Sequence, residues 1–386
     1  MSGRKPNILV LADDLTGAAE IGGIAFQYGL EVRILVDRQK FEAIQENVIV
    51  IDTASRSFEP GQAHQFIREL IAEIDLASYD LVFMKLDSVL RGPVIAEASA
   101  LLEAPGFDRV LMIPANPSRN RTIRNGIYFV DGVPINQTAF RLDPLHPRLS
   151  AEISDLVGND GNVVTGNDPA LFTNGKIFIP DVGSLEEIEW LVSDLYRPGI
   201  LLAGGSDHFR TVFSAILHMM PLREPGLLQK PLHHHFIIGS RSETSIHSVT
   251  RLAELGYAAF RLPETAIRND SVFAEWTGQI GSKVKNGGRV VVSGPPGIAT
   301  DPFDKGIIAA KVARAARVVA MHSIPGTHLF LEGGETASQF YREMGWDQLI
   351  VSQFHDVGVV TLLPVGTDIS VTVKPGSYPW PERLLI

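Results

Sequence analysis

The chain has 386 residues, 45% of them hydrophobic and 20% charged, which suits two packed cores better than one. It has no cysteine, so a disulfide framework, a thiolate nucleophile and Cys-ligated zinc are excluded. The formal charge of −10 argues against nucleic-acid binding through a general field, so an anionic ligand has to be held by a few local cations.

The basic start, Met1 to Asn7, is followed by a short apolar run, Ile8–Ala12, that Asp13 and Asp14 stop at once. That run is too short for a secretory signal, and no later run approaches a bilayer span, so a soluble, cytoplasmic protein without a membrane partner is expected. Ile8–Ala12 itself reads as a buried strand, and Gly17–Tyr28 as a helix of small and apolar residues. Further strands are predicted at Glu31–Val36, Val48–Asp52, Leu81–Leu86 and Arg109–Ile113, with helices at Gly61–Ile74 and Pro93–Glu103. Alternation of this kind predicts βαβ units and a mostly parallel sheet. Arg121–Pro134 breaks the rhythm: Asn125-Gly126 and Asp131-Gly132 are turn dipeptides around Ile127–Val130, so a hairpin is predicted there. Strands resume at Lys176–Ile179 and Ile200–Ala203.

The stretch 221–231 carries three prolines in eleven residues and reads as an interdomain linker. After it, strands are predicted at Phe236–Ile238, Tyr257–Arg261, Arg289–Val292, His328–Leu331, Val359–Leu363 and Ile369–Val373, with a helix at Phe303–Met321. The fold class is therefore α/β with two domains, residues 1–225 and 232–386, each a mostly parallel sheet flanked by helices.

Ligands of open α/β sheets bind at the carboxyl ends of the strands, and the candidate sites are strand-to-helix loops of that kind. Asp13-Asp14-Leu15-Thr16-Gly17 sets two carboxylates at one tip; a helix cap with a solvated neighbour is the plainer reading. Lys85-Leu86-Asp87-Ser88-Val89-Leu90-Arg91-Gly92 offers two cations, a carboxylate and a hydroxyl at a helix start, a seat for a polyhydroxylated anion. Arg56, after Val48–Asp52, can grip a carboxylate with its fork of donors. In the second half, Glu332-Gly333-Gly334-Glu335-Thr336 lets a backbone approach a phosphate at a helix start. Gly239-Ser240-Arg241-Ser242, Lys374-Pro375-Gly376-Ser377 and Gly294-Pro295-Pro296-Gly297 are further strand-tip loops, for which capped helices or plain turns are the simpler readings. Neither the P-loop nor the dinucleotide fingerprint occurs. His233-His234-His235 lacks a spaced partner set and reads as structural.

The segments ADDLTGAAE, KLDSVLRGPVIAE, IPANPSRNRTIRNGIYFVDGVPINQTAF, GSRSETS, GGETA and VKPGS, in this order, resemble the four-carbon acid sugar kinase family, over residues 8 to 377. The resemblance implies an N-terminal domain that binds the sugar acid and a C-terminal domain that binds ATP. It assigns Asp14, Arg56, Lys85, Asp87 and Ser88 to the substrate, with Arg91 alongside, and Ser240, Gly333, Gly334, Glu335, Thr336 and Gly376 to ATP. Phosphorylation of a hydroxyl, the terminal one by preference, is then expected, with ATP and Mg2+ as cofactors and Asp14 as the group that orients or deprotonates the acceptor; Asp13 or Asp87 could serve instead. Metal ligands are left unassigned and homo-oligomerisation open. Two rivals stand beside this reading: a sugar-acid sensor without catalysis, and a metal-dependent phosphatase using Asp13 and Asp14, against which the lack of Asp-x-Asp counts.

Overall fold

The computed structural model describes residues 4–36, 45–143, 145–158, 161–226, 233–240, 242–295, 302–376, 378, 380, 381 and 384. The second half of the proline-rich stretch 221–231, Arg241, Pro296, Gly297 and Ser377 lie outside them. The chain forms two compact units. The first comprises residues 1–13, 28–30 and 40–222; the second comprises 14–27, 31–39 and 223–386. The units change at Leu222, inside the predicted linker, but also at Asp13, because the first helix packs with the second unit rather than with its neighbours in sequence.

The first unit is built on parallel strands in the order Val48–Asp52, Ile8–Ala12, Leu81–Lys85, Ile200–Gly204, Arg109–Ile113, Ile177–Pro180 and Val163–Gly166. Such strands are covered on both faces and so need unbroken apolar runs; Ile8–Ala12 and Leu81–Lys85 are buried throughout. Helix Pro60–Ala72 packs against Val94–Leu101, and Leu185–Leu195 against Ser206–Ala215. The predicted hairpin is a three-stranded antiparallel sheet, Arg121–Arg124, Ile127–Val130 and Val133–Pro134. Its turns take the conformation their sequences demand: Asn125 and Gly126 have φ 50° and 72°, Asp131 and Gly132 φ 51° and 76°.

In the second unit the parallel order is Ala258–Arg261, Val290–Ser293, His234–Ile238, His328–Glu332 and Ser370–Lys374, continued antiparallel by Val359–Pro364, Gln348–Asp356 and Val32–Leu35. Helix Leu15–Gln27 lies on that antiparallel part. Two glycines permit the approach: a Cβ on Gly22 would stand 3.0 Å from Val351 Cγ2, and one on Gly23 2.6 Å from Val360 Cγ2. Pro302–His322 packs against Asp270–Lys285 and Gly334–Met344. The His233-His234-His235 run enters the sheet: His234 and His235 are buried, and burial pushes His235 down to about 4, so it is a neutral core residue.

Candidate active site

In the first unit the strand register brings the predicted loops to one edge. Ala12 is level with Asp52 on one side and Lys85 on the other, and Lys85 is level with Gly204. The ladder continues past the strands: Thr53 N–H donates to Ala12 O at 2.9 Å, Asp13 N–H to Lys85 O at 3.2 Å, and Leu86 N–H to Gly204 O at 3.2 Å. Asp13, Arg56, Lys85, Asp87 and Ser88 therefore converge for a simple reason. In-register parallel strands deliver their following loops to the same side.

Two cations at this edge, Arg56 and Arg91, are engaged by the protein's own carboxylates. Arg56 forks Asp13, with Nε at 2.8 Å from Oδ2 and Nη2 at 2.9 Å from Oδ1, and its Nη2 also lies 3.8 Å from Asp87 Oδ1. Arg91 forks Asp87 at 3.0 and 2.8 Å and reaches Asp143 at 3.1 Å. Asp87 further accepts the backbone N–H groups of Val89 and Arg91. Burial alone would raise the Asp87 carboxyl, but the Arg91 and Arg56 guanidiniums override it and hold it well below the ordinary 3.8. The loop shape follows from Leu90, at φ 62°, whose N–H closes a turn onto Asp87 O at 2.9 Å and returns Arg91 to Asp87. Gly92, at φ 88°, is required because a Cβ there would meet the backbone of Arg56 at 3.0 Å. Lys85, almost fully buried, donates to Leu86 O at 2.9 Å. The hairpin contributes residues that the sequence did not single out: Arg121 donates to Ser88 Oγ, and Tyr128 Oη to Ser88 O at 2.6 Å. The signal available was position alone, since the hairpin directly follows the strand Arg109–Ile113, whose neighbour in the sheet is Ile200–Gly204.

Asp14 belongs to the second unit. Its carboxylate accepts Thr16 Oγ1 at 2.6 Å and Gly17 N–H at 2.7 Å, which makes it the cap of helix Leu15–Gln27. It also adjoins the glycine loop: a Cβ on Gly334 would lie 3.0 Å from Thr16 Oγ1 and 3.3 Å from Asp14 Oδ2. Ser293 and Glu332 both pair with Ile238, and Glu332 pairs with Lys374, so the remaining loops also meet at one edge. Gly333, at φ 105°, opens helix Gly334–Met344 without a side-chain cap among the described residues, leaving that helix start for an anion. A Cβ on Gly333 would come within 3.3 Å of Ser240 N, and one on Gly376 within 2.6 Å of Ser240 Oγ, so Ser240, Gly333 and Gly376 are in contact. Thr336 packs under Gly239, while Glu335 points outward. Beneath them Glu332 and Lys374 form a fully buried pair at 3.1 Å, and Trp380 Nε1 donates to Glu332 at 2.8 Å. Beside this edge is a cavity with an apolar wall of Ile238, Ile246 and Val249 and polar groups from Ser240, Ser293 and Arg261.

Residues 8–176 match the family model of a sugar-binding N-terminal domain. The D-threonate kinase of Salmonella typhimurium is 29% identical over 151 residues, 39% of this chain and 36% of that protein. The 3-oxo-tetronate kinase of Brucella melitensis is 28% identical over 216 residues, 54% of this chain and 48% of that protein. The D-erythronate kinase of Heliobacterium modesticaldum is 28% identical over 155 residues. The chain is similar in sequence to the four-carbon acid sugar kinases. Its matches span from 36% to 48% of the first two kinases' lengths. The fold extends further than the sequence match. A crystal structure from Salmonella typhimurium superposes with a TM-score of 0.79 at 16% identity, covering 98% of both chains. One from Haemophilus influenzae gives 0.67 at 21% identity, covering 97% of this chain. Among the described residues, no helix is long and apolar enough to cross a membrane.

Proposed function

We propose that the chain transfers the γ-phosphoryl group of ATP to a hydroxyl, by preference the terminal one, of a four-carbon sugar acid such as threonate or erythronate. The observation that carries the reading is the pair of loop edges. One is rich in fixed charges and hydroxyls, suited to a short polyhydroxylated anion. The other is a helix start opened by glycine without a side-chain cap among the described residues, suited to the phosphates of a nucleotide. The names of the kinase relatives support it.

In this reading Arg56, Lys85, Asp87 and Ser88 bind the acid. Arg91, its donors directed at Asp87 and Asp143, acts by fixing Asp87. Asp87, an acceptor held ionised, suits substrate hydroxyls rather than a carboxylate. Ser240, Gly333, Gly334, Glu335, Thr336 and Gly376 receive the nucleotide, the Gly334 helix start facing its phosphates. The acceptor oxygen attacks the γ-phosphorus, the bond to ADP breaks, and Asp14 takes the hydroxyl proton; its place beside Gly334 suits a group that works where the phosphates lie. A magnesium ion is expected to arrive with ATP, carried mainly by phosphate oxygens and water. That ion would neutralise phosphate charge.

The test is an ADP-release screen over the stereoisomers of threonate, erythronate and 3-oxo-tetronate, with the Asp14→Asn variant alongside. Turnover with at least one acid, reduced at least about a hundredfold in the variant, is expected. Binding of the acids without ADP release would favour a sensor, and phosphate release from sugar phosphates without ATP would favour a phosphatase.

A further inference from the structure

Glu97 lies in the first turn of helix Val94–Leu101, and only 3% of it is exposed. It touches Ser55 Oγ, Ser55 Oγ lies 2.7 Å from Thr53 Oγ1, and Thr53 Oγ1 donates to Ala12 O at 2.9 Å. Counting protons along this chain fixes their direction. A carbonyl cannot donate, so the single Thr53 hydroxyl proton is committed to Ala12 O. The Thr53–Ser55 contact must then use the Ser55 proton. No hydroxyl proton remains for the contact between Ser55 Oγ and Glu97 Oε1, so it is attractive only if Glu97 supplies one.

We propose that Glu97 is a neutral carboxylic acid at physiological pH and, by donating to Ser55, is a positioning residue for the loop that presents Arg56 and for the Ala12–Asp13 strand tip. The second argument is electrostatic. Burial, and next the Asp13 carboxylate, push Glu97 up to about 8, against the attraction of Arg56 and against any hydrogen bond that Ser55 would donate to the ionised carboxylate. Asp13 and Arg56 are the charged groups that act on it. From the adjoining helix Pro60–Ala72, His64 pairs instead with Glu103 at 3.0 Å, beyond the C-terminal end of Val94–Leu101. Ionising Glu97 would remove the donor that ends the relay and place a second negative charge near Asp13, the partner of Arg56. The acid-binding loops should therefore loosen as pH rises through about 8.

The functional part of this inference rests on the sugar-acid reading; the protonation part does not, and the experiment separates them. The infrared spectrum of the full chain without ligand, labelled with 13C-glutamate, is followed between pH 6 and pH 10, with Glu97→Gln as the assignment control. A carboxylic-acid carbonyl band that disappears with a midpoint near 8 and is missing in Glu97→Gln is expected. Titration of the same proteins with D-threonate should show wild-type affinity falling about tenfold per pH unit above the midpoint, while Glu97→Gln, a neutral donor, stays within about threefold of the pH 7 value throughout. A Glu97 midpoint below pH 6, or equal alkaline loss of affinity in wild type and variant, overturns the proposal. If Glu97→Gln does not fold, the labelled wild-type titration alone decides the protonation state. If no tetronate binds while the band behaves as expected, the kinase reading falls and the neutral Glu97 stands.

Discussion

At the scale of single residues, the loop edge of the first unit sets the carboxylates of Asp13 and Asp87 against arginines. Asp87 is heavily engaged: two guanidiniums and two backbone N–H groups face a buried carboxylate. Replacing it with Asn keeps the shape and removes the charge that Arg91 and Arg56 answer. Breaking a buried pair from one side leaves the other charge uncompensated and costs about 3–5 kcal/mol. The pH dependence has a definite sign. A carboxyl held below its ordinary 3.8 contributes stability that is present above that value and lost as pH falls through its folded value. Urea unfolding of Asp87→Asn should therefore show the full deficit at neutral pH and a shrinking one under strong acid. A deficit independent of pH would mean that packing, not charge, is what Asp87 supplies.

Among elements, the glycines of helix Leu15–Gln27 allow a direct comparison. A methyl group on Gly23 would lie 2.6 Å from Val360 Cγ2 and 3.0 Å from Phe354 Cδ2, both in buried side chains with nowhere to retreat. Overpacking of this kind costs about 1–3 kcal/mol, and the gain in helix propensity from Gly to Ala returns only about 1. At Gly61, in helix Pro60–Ala72, the same methyl meets nothing within 4 Å. Thermal denaturation should rank Gly61→Ala at or above wild type and Gly23→Ala below it; the reverse order would mean that the helix can shift off its strands. Most elements were legible beforehand because their signals are local. Continuous apolar runs marked the parallel strands, and Asn-Gly and Asp-Gly marked the hairpin. Strand Gln348–Asp356 was not legible, for a physical reason: register shifts between Val351 and Gln353 and between Phe354 and Asp356 break the alternation by which an antiparallel strand is recognised. The candidate site was legible as residue types at strand tips. Its pairings were not: that Arg56 and Arg91 turn toward Asp13 and Asp87 depends on the left-handed turn at Leu90 and on the closeness of Gly92 to Arg56, neither of which a strand pattern encodes.

At the scale of the whole molecule, sequence order and compact units part company, and this carries a consequence for dissection. A cut within 221–231 would separate residues 223–386 from helix Leu15–Gln27 and strand Val32–Leu35, which belong to the same unit. That strand pairs with Gln348–Asp356, Leu35 opposite Gln348 and Arg33 opposite Ile350, and the helix covers Val351, Phe354 and Val360. Without them the fragment keeps its parallel strands, but one side of Gln348–Asp356 has an open edge and buried apolar side chains come into water. Both features favour aggregation over a unique fold. The fragment 223–386 alone should thus be insoluble or give poorly dispersed amide NMR spectra. The same fragment joined through a flexible linker to residues 14–36 should recover dispersion and cooperative unfolding. If the proposed kinase reading holds, nucleotide binding should return with it, because Asp14 and Thr16 border Gly334 within that unit. Cooperative unfolding of 223–386 on its own, at the stability of the joined form, would show that the N-terminal helix is an accessory to this unit and not part of its core.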